Sequence, residues 1–417
     1  MSRVFVLGVA CTPFGRRPQA SFQELTREAY LAVLSDAGLA DGAAIESAWF
    51  GNSGMGAWGQ TSIRGQVCFA PLVREGRFPE RVPVINVENA CASAGTALHA
   101  AGKDVRSGDA DLVLALGVEK LHLPGVEKRV VLAGFTAGID NGQAAAWRAE
   151  YERLARSCGS ECSWGADRSG FVDASAVRAR WHMQRHGTTL RQIALACSKS
   201  HWYGARNPRA AYRFEVPLEA VLRDRVVSDP LRRAMCAAPG DGAAAALLCS
   251  GPFLAGLPGA VRDRAVELRA SVLAGGKCRA VDEPSLTRVA AEKAYARAGV
   301  TATDVDVAEV MDATSFGEIE EVEMLGFCPP GAGGRFVESG ETSPGGRVPV
   351  NTSGGLVSKS HPVGATGLAM TYELVLQLRG EAGERQVRGA EIALQHNAGG
   401  AIGLEDAVCS VAVLHRA

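Results

Sequence analysis

Cys91 stands apart from the other ten cysteines of this 417-residue chain because of where it lies. It follows an apolar, strand-like stretch and precedes small residues with helix character, in the sequence NVENACASAG at 86–95. At such a junction the N–H dipoles of the helix point at the thiol, which lowers its pKa and favours the nucleophilic thiolate. Taken alone, Cys91 is equally compatible with a buried structural thiol.

His361 lies in a second stretch of similar form, NTSGGLVSKSHPVGA at 351–365. Pro362 suits the first turn of a helix, since its missing N–H needs no partner there. An imidazole just before that turn can point away from the helix and take a proton from a thiol. Any single histidine also fits a structural role, so the prediction depends on the pairing with Cys91.

A third stretch, QHNAGG at 395–400, follows a strand-like apolar run. A glycine-rich turn offers backbone N–H groups, which are the donors of an oxyanion hole. Without the other two stretches, an ordinary turn would be the better interpretation.

Strand-like and helix-like patterns alternate in the first and last quarters of the chain. A helix is predicted at 21–37, with Ser21 and Glu24 as its capping box. Buried strands are predicted at 4–9, 112–116, 268–273, 305–311 and 392–395. This alternation predicts an α/β fold with a covered, largely parallel sheet.

The first two reactive stretches also repeat each other. VPVIN at 82–86 leads to Cys91 and a small-residue helix, and VPVN at 348–351 leads to His361 and another. The repeat predicts a duplicated α/β fold whose reactive residues face each other. The segment 121–227 lacks this rhythm and is predicted to form a lid or loop domain on the first half.

Composition excludes several classes of protein. With 47% hydrophobic residues the chain can bury a large core, and 44 Lys and Arg against 45 Asp and Glu argue against a nucleic-acid binder. No apolar run reaches the roughly 18 residues of a membrane span. The cysteines show no disulfide-framework spacing, so a cytoplasmic protein is expected.

The three reactive stretches resemble the thiolase superfamily, and within it the sterol-carrier-protein-2 thiolases and lipid-transfer-protein-like acetyl-CoA acetyltransferases. The resemblance runs nearly end to end, through TPFG at 12–15, NP at 207–208, DGAAA at 241–245 and LGFCP at 325–329. It implies two βαβαβαββ halves in α-β-α-β-α layers, with a loop-domain insertion in the first half. The first half would comprise 1–120 and 228–260, the insertion 121–227, and the second half 261–417.

The resemblance also implies roles for individual residues. Cys91 would accept the acyl group of a thioester, and His361 would activate it. Oxyanion or support roles fall to Gly399, Asn397, His396 and Asp312, and substrate contacts to Ser353, Gly354 and Ser315. The donor would be an acyl-CoA or acyl carrier protein, without cofactor or metal. A homodimer is expected, and a small OB-fold protein is a further candidate partner.

One departure from the family pattern bears on the reaction. This branch normally carries a His-Asp-Cys-Phe motif, and a gap-free alignment puts MDAT at 311–314 there. Other thiolases place a second Cys in the final Gly-rich turn, where this chain has Asn397. Because losing a positioned acid or base costs about 10²–10⁴-fold, the prediction is an acyltransferase whose acceptor is already nucleophilic, such as an enol, phenolate, amine or thiol. Ser315 or His396 as a substitute proton carrier stays open.

Three other functions remain open at this point: an ordinary thiolase, a retro-aldol or retro-Claisen lyase, and a non-catalytic partner subunit. A lyase need not use a Cys nucleophile, so Cys91 counts against it. GMGAWG at 54–59 resembles a dinucleotide fingerprint but lacks the βαβ unit and the later acidic residue. The Cys and His pairs within 158–186 are spaced too widely for a zinc finger.

Overall fold

Strands and helices alternate regularly through the first 120 residues. The structure, a computed structural model, describes residues 3–122, 124–127, 130–131, 138–162, 164 and 169–417. Its first elements are β1 (Val4–Cys11), α1 (Phe22–Asp36), β2 (Ser47–Gly51), α2 (Arg64–Arg74), β3 (Val84–Val87), α3 (Ser93–Ser107) and β4 (Leu112–Glu119). The capping box predicted for α1 is present, with Ser21 and Glu24 each bonding the other's backbone N–H.

Helices dominate the chain between β4 and the next long strand. They are α4 (Ala144–Ser157), α5 (Gly170–His186), α6 (Leu190–Ala205) and α7 (Leu218–Arg223), followed by the short strands β5 (Val226–Ser228) and β6 (Leu231–Arg232). The first half then closes with β7 (Gly242–Ser250) and the short helices α8 (Gly251–Ala255) and α9 (Gly259–Arg262).

The last 150 residues repeat the opening pattern. Their elements are β8 (Val266–Gly275), α10 (Leu286–Ala298), β9 (Val307–Glu309), α11 (Ser315–Met324), α12 (Gly333–Glu338), α13 (Thr366–Arg379), β10 (Ile392–Gly399) and β11 (Val408–Arg416).

The sheet makes the duplication visible. Its order is β3-β2-β4-β7-β1-β8-β11-β10-β9, and a bridge between Ala308 and Val350 supplies the counterpart of β3 beyond β9. The halves meet where Phe5 and Val6 of β1 pair with Glu267 and Val266 of β8. Antiparallel pairs outnumber parallel ones, because β1 and β7, like β8 and β11, run antiparallel to their neighbours. The expectation of a largely parallel sheet is therefore wrong.

Helices α3 and α13 form the central layer of the molecule. Their buried residues, such as Leu98 and Leu368, share one core with Val6 of β1 and Leu268 of β8. A second core packs α1 and α2 on the outer face of the first half, and a third packs α10 on the outer face of the second. The result is the expected α-β-α-β-α arrangement, with the starts of α3 and α13 at its centre.

The helices between β4 and β7 pack mainly on the second half of the molecule. Ile193 and Cys197 of α6 share a buried cluster with Phe316 and Ile319 of α11 and with Val357. The segment therefore lies in the first half of the sequence but packs on the second half of the structure. The sequence predicts a lid on the first half instead. Its proposed boundaries, 121–227, remain a prediction.

None of the helices in the described part of the chain has the length and apolar character needed to cross a membrane.

Candidate active site

A tight turn between β3 and α3 presents Cys91. Ala90, just before it, has a φ of 47°, a conformation that residues with a Cβ seldom adopt. The Ser93 hydroxyl stabilises the turn, because it donates to the Ala90 carbonyl at 2.7 Å and accepts from the Asn89 N–H at 2.9 Å. The backbone is thus held in a strained form with Cys91 at its apex, as is frequent at functional sites.

His361 lies in an equivalent position before α13. The preceding residue, Ser360, has a φ of 100°. The His361 N–H and the Ser360 hydroxyl both donate to the carbonyl of Ala238, each at 2.9 Å. The second half thus presents its histidine after a residue with positive φ, as the first half presents its cysteine, although different contacts hold the two turns.

The two side chains meet across the centre of the molecule. His361 Nε2 lies 3.1 Å from Cys91 Sγ, and His361 Nδ1 lies 2.7 Å from Thr366 Oγ1. The Thr366 hydroxyl donates its hydrogen to the Pro362 carbonyl at 3.0 Å. It must therefore accept from an Nδ1–H, which leaves Nε2 unprotonated and able to accept the thiol proton.

Burial keeps both partners uncharged. It raises the pKa of the Cys91 thiol to about 12, with the negative charges of Asp406 and Glu119 adding to the effect. It also lowers the pKa of His361 to about 3, assisted by the positive charge of Lys359. The expected lowering of the thiol pKa by the helix dipole is outweighed by desolvation. The resting pair is therefore a thiol and a neutral imidazole, and the proton moves only as the sulfur attacks.

Asn397 and Gly399 bring the third stretch onto the cysteine turn. The Asn397 Nδ2 donates to the Cys91 carbonyl at 2.9 Å, and its Oδ1 accepts from the Gly95 N–H at 3.2 Å. A Cβ at Gly399 would lie 2.4 Å from the Ala92 nitrogen and 2.8 Å from that of Cys91, so only glycine fits. This contact places Gly399 beside the Cys91 amide, as an oxyanion hole requires.

A cavity of about 1100 Å³ opens onto the Cys91–His361 pair. Met311, Ala313 and Thr314 form part of its wall, so the loop without the second thiol does face the site. The helical segment also lines it, with residues that include Phe171, Val172, Tyr212, Phe214, Val226 and Arg233. A space of this size takes an extended ligand, and the nucleophile is part of its lining.

Three residues expected to contact substrate lie elsewhere. Ser353 is buried, with its hydroxyl on Glu309 Oε2 at 2.5 Å and its N–H on Oε1 at 2.9 Å. Gly354, at a φ of 100°, packs against the backbone of Gly204. Ser315 is buried at the start of α11. None of the three is among the residues that line the cavity, so the cavity does not support their assignment to substrate contacts, which stays a prediction.

His396 and Asp312 support the wall from behind. His396 Nδ1 accepts from the Met311 N–H at 3.4 Å, its Nε2 lies 2.9 Å from Thr287 Oγ1, and burial lowers its pKa to about 3. Asp312 Oδ1 accepts from the Leu356 N–H at 2.7 Å, and burial raises its pKa well above the usual value. Both side chains hold the 311–314 loop, and neither lines the cavity.

Sequence reasoning missed the charged residues of the cavity. Arg178 of α5, Glu320 and Glu321 of α11, and Asp406 in the turn between β10 and β11 all line it. A signal existed, because the ten residues of α11 contain four glutamates, more than a helix packed in a core normally carries. Thr366, which fixes the His361 tautomer, was missed as well.

The cysteine and histidine pairs of the helical segment serve local contacts. His182 lies 2.8 Å from Thr188 Oγ1 and 3.1 Å from Glu323, and the Cys158 thiol bonds the Leu154 carbonyl. Across the described residues, no three His, Cys, Asp or Glu side chains converge as metal ligands.

Comparison with known proteins gives matches along nearly the whole chain. The model of the thiolase N-terminal domain matches residues 4–144, and that of the thiolase C-terminal domain-like family matches 280–412. An acetyl-CoA acetyltransferase of Methanothermobacter thermautotrophicus is 37% identical over 406 residues, covering 96% of this chain and 97% of the relative. Bovine sterol carrier protein 2 is 34% identical over 95% of this chain and 70% of its own length. The benzoylsuccinyl-CoA thiolase subunit BbsB of Thauera aromatica is 29% identical, with 95% of both chains covered.

Solved structures share the fold at lower sequence identity. The Ltp2-ChsH2(DUF35) aldolase superposes with a TM-score of 0.78 at 20% identity, covering 99% of this chain and 98% of that one. Human mitochondrial 3-ketoacyl-CoA thiolase superposes with a TM-score of 0.68 at 16% identity, covering 99% and 98%. The sequence relatives and the matched family models show that this chain belongs to the thiolase family and is an acyltransferase.

Proposed function

We propose that the enzyme takes an acyl group from a CoA or carrier-protein thioester onto Cys91 and passes it to an acceptor that is already nucleophilic. The observation that carries the proposal is the 3.1 Å contact between Cys91 Sγ and an unprotonated His361 Nε2, both in the lining of a large cavity. Relatives named acetyl-CoA acetyltransferase and benzoylsuccinyl-CoA thiolase support a CoA thioester as the donor.

Acylation follows from the geometry of the pair. As Sγ attacks the thioester carbonyl, Nε2 takes the thiol proton, and the resulting imidazolium gives it to the departing CoA sulfur. The Cys91 N–H and the adjacent Gly399 backbone are the proposed donors to the developing oxyanion. Thr366 holds the imidazole in the required tautomer throughout.

The wall at Ala313 favours transfer over carbon–carbon cleavage. A methyl group stands where the family keeps an acid or base thiol, and it can neither give nor take a proton. The two candidate substitutes, His396 and Ser315, are buried behind the cavity wall. Transfer to an enol, phenolate, amine or thiol does not require an acid or base at this position, because the reaction forms no carbanion.

Intact mass spectrometry after incubation with acetyl-CoA tests the proposal. We expect one added acetyl group per chain, located on the peptide that contains Cys91. Absence of any adduct under conditions in which the protein is folded would contradict the proposal. It would favour a lyase without a covalent intermediate or a non-catalytic partner subunit.

We also propose that the enzyme is a cytoplasmic homodimer. Strand β3 lies at one edge of the sheet, and its apolar residues Val84, Ile85 and Val87 are only partly covered in the single chain. Native proteins commonly cover such an edge by pairing.

All eleven cysteines are unbridged, which suits a reducing compartment such as the cytoplasm. A small OB-fold partner remains a candidate, since the name of one structural neighbour includes a DUF35 component. Light scattering after size-exclusion chromatography measures the assembly directly.

A further inference from the structure

The cavity has an acidic wall that acylation of Cys91 does not use. Glu320, Glu321 and Asp406 form this acidic wall, and Arg178 is the cation among them. The acyl group and thioester of a donor have no hydrogen to donate to carboxylates, whereas an acceptor with O–H or N–H groups does. The acidic wall therefore suits the acceptor.

The three carboxylates are in different states. Glu320 Oε2 lies 3.5 Å from Arg178 Nη1 and is paired. Glu321 is only 8% exposed, and its Oε2 lies 3.6 Å from Nε2 of His396, which is buried behind the wall.

Asp406 lines the same cavity as Cys91. It is partly exposed and lies in the turn that follows Gly399 and Gly400, two residues that also line the cavity. Among the charged groups that raise the pKa of the Cys91 thiol, its carboxylate has the largest effect. Asp406 and Cys91 are thus open to the same bound molecules.

We propose that the acidic wall is the acceptor subsite, that it takes acceptors bearing O–H or N–H groups, and that Asp406 is the base that removes the acceptor's proton. This inference rests on the proposed acyl-enzyme. It names the substrate class of the second step and a residue that serves that step alone.

The titration of Asp406 agrees with this role. Burial raises the pKa of Asp406 to about 6, with the positive charges of Arg178 and Arg279 opposing the rise and the negative charges of Glu320 and Glu405 adding to it. The carboxylate is therefore ionised at neutral pH yet more basic than an exposed aspartate. Burial and the neighbouring carboxylates Glu320 and Asp406 raise the pKa of Glu321 well above its usual value, which favours its uncharged form beside Asp406.

The step balances without another reactant. The acceptor oxygen or nitrogen bonds to the acyl carbon while its proton passes to the Asp406 carboxylate. The bond between the acyl carbon and Cys91 Sγ breaks, and its electron pair stays on sulfur. Asp406 then releases its proton to solvent, and the thiolate takes one back, so the enzyme returns to its starting state.

Transfer to O-methylhydroxylamine tests the inference, because this small N–H nucleophile is already unprotonated at neutral pH. The acetyl-enzyme is isolated, and loss of its acetyl group is followed against pH. Asp406→Asn should slow the transfer by about 10²-fold or more. The release of CoA on acylation should be unchanged or faster, since a negative charge near the thiol has been removed.

Glu320→Gln is the matched variant, because Glu320 belongs to the same wall but already pairs with Arg178. It should raise the acceptor concentration that gives half-maximal transfer and keep the rise in rate through pH 6, whereas Asp406→Asn should abolish that rise. Loss of the pH dependence in both variants would overturn the role of Asp406, since the wall would then act through its charge alone.

The wild-type protein gives a readout that needs no variant. Its transfer rate should rise through pH 6 as Asp406 ionises, whereas its acylation rate should show no such rise. A transfer rate that is flat between pH 5 and pH 8 would contradict the inference. Failure to acylate at all would instead contradict the proposed function, so the two failures are distinguishable.

Discussion

The two halves of the molecule use one backbone arrangement for two different chemical tasks. In the first half, a residue with positive φ, Ala90, precedes Cys91 and the helix α3. In the second half, Ser360 with positive φ precedes His361, and a short turn leads into α13. The arrangement is therefore duplicated while the reactive group is not.

The comparison teaches how a duplicated fold builds an asymmetric site. A Cβ on Gly367 would lie 2.5 Å from the Gly95 nitrogen, so the starts of α3 and α13 touch backbone to backbone. Such an approach needs small residues on both helices, and both halves supply them. Once the helix starts are this close, any pair of side chains placed just before them must meet. An asymmetric site then requires only a nucleophile at this position in one half and a base at the equivalent position in the other.

Removing the nucleophile gives the largest expected effect. Cys91→Ala replaces one small residue by another, so folding should be preserved while acyl labelling disappears. Cys236→Ala is the matched control, since Cys236 lines the same cavity but its thiol bonds the Arg232 carbonyl. Labelling that persists in Cys91→Ala, or that is lost in Cys236→Ala, would show that the nucleophile has been misassigned.

Removing the base from the second half should slow acylation by about 10²–10⁴-fold. In His361→Ala the reaction depends on free thiolate, and the pKa of Cys91 is about 12. The rate should therefore rise about tenfold per pH unit from pH 7 to pH 10. In the wild type, His361 with a pKa of about 3 stays neutral over this range, so stopped-flow acylation should be nearly independent of pH. Matching profiles for the two proteins would make His361 a structural residue.

Restoring the family motif should give the protein part of the thiolysis activity of an ordinary thiolase. Met311→His together with Ala313→Cys puts a thiol on the cavity wall, where both residues already lie. Thiolysis of acetoacetyl-CoA should then increase, by less than the full factor of about 10²–10⁴ because the surroundings were not shaped for the new group. Met311→His alone is the control and should give little gain. No increase in the double variant would show that the missing thiol does not limit the reaction.

A smaller effect is expected at Thr366, which positions the base. Thr366→Val removes the partner of His361 Nδ1 and frees the ring to adopt the other tautomer, so acylation should slow by about tenfold. Thr366→Ser keeps the hydroxyl and should restore the rate. If valine and serine behave alike, the loss comes from packing and not from the hydrogen bond.

Sequence reasoning reached the parts of the molecule that local chemistry determines. The duplication and the Cys91–His361 pair follow from the residues at the strand-to-helix junctions, whereas the placement of Gly399 beside the cysteine turn follows from the family resemblance. It did not reach what depends on three-dimensional packing. The helices around Ile193 pack on the second half and not on the first. Antiparallel strands in each half make the sheet largely antiparallel, although a parallel sheet was expected. The expected lowering of the Cys91 thiol pKa is also wrong, because burial raises this pKa and the burial depends on the whole surrounding core.

The same limit explains the cavity. Ser353 and Gly354 lie in the most distinctive stretch of the sequence, yet their contacts with Glu309 and Gly204 are structural. Asp406 lies in an unremarkable turn, and only the folded chain brings it to the cavity that holds Cys91. A distinctive motif identifies the backbone that a site requires, and the side chains that complete the site come from more variable segments.

The most direct test of the account compares two rates of the wild-type enzyme. Active sites are counted by the burst of CoA released from acetyl-CoA, and steady-state thiolysis of acetoacetyl-CoA by free CoA is then expressed per active site. We expect a burst close to one CoA per chain and a thiolysis rate at least about 10²-fold below the burst rate, because the departing carbanion has no thiol at position 313 to protonate it. Thiolysis as fast as the burst would contradict the account and identify the protein as an ordinary thiolase.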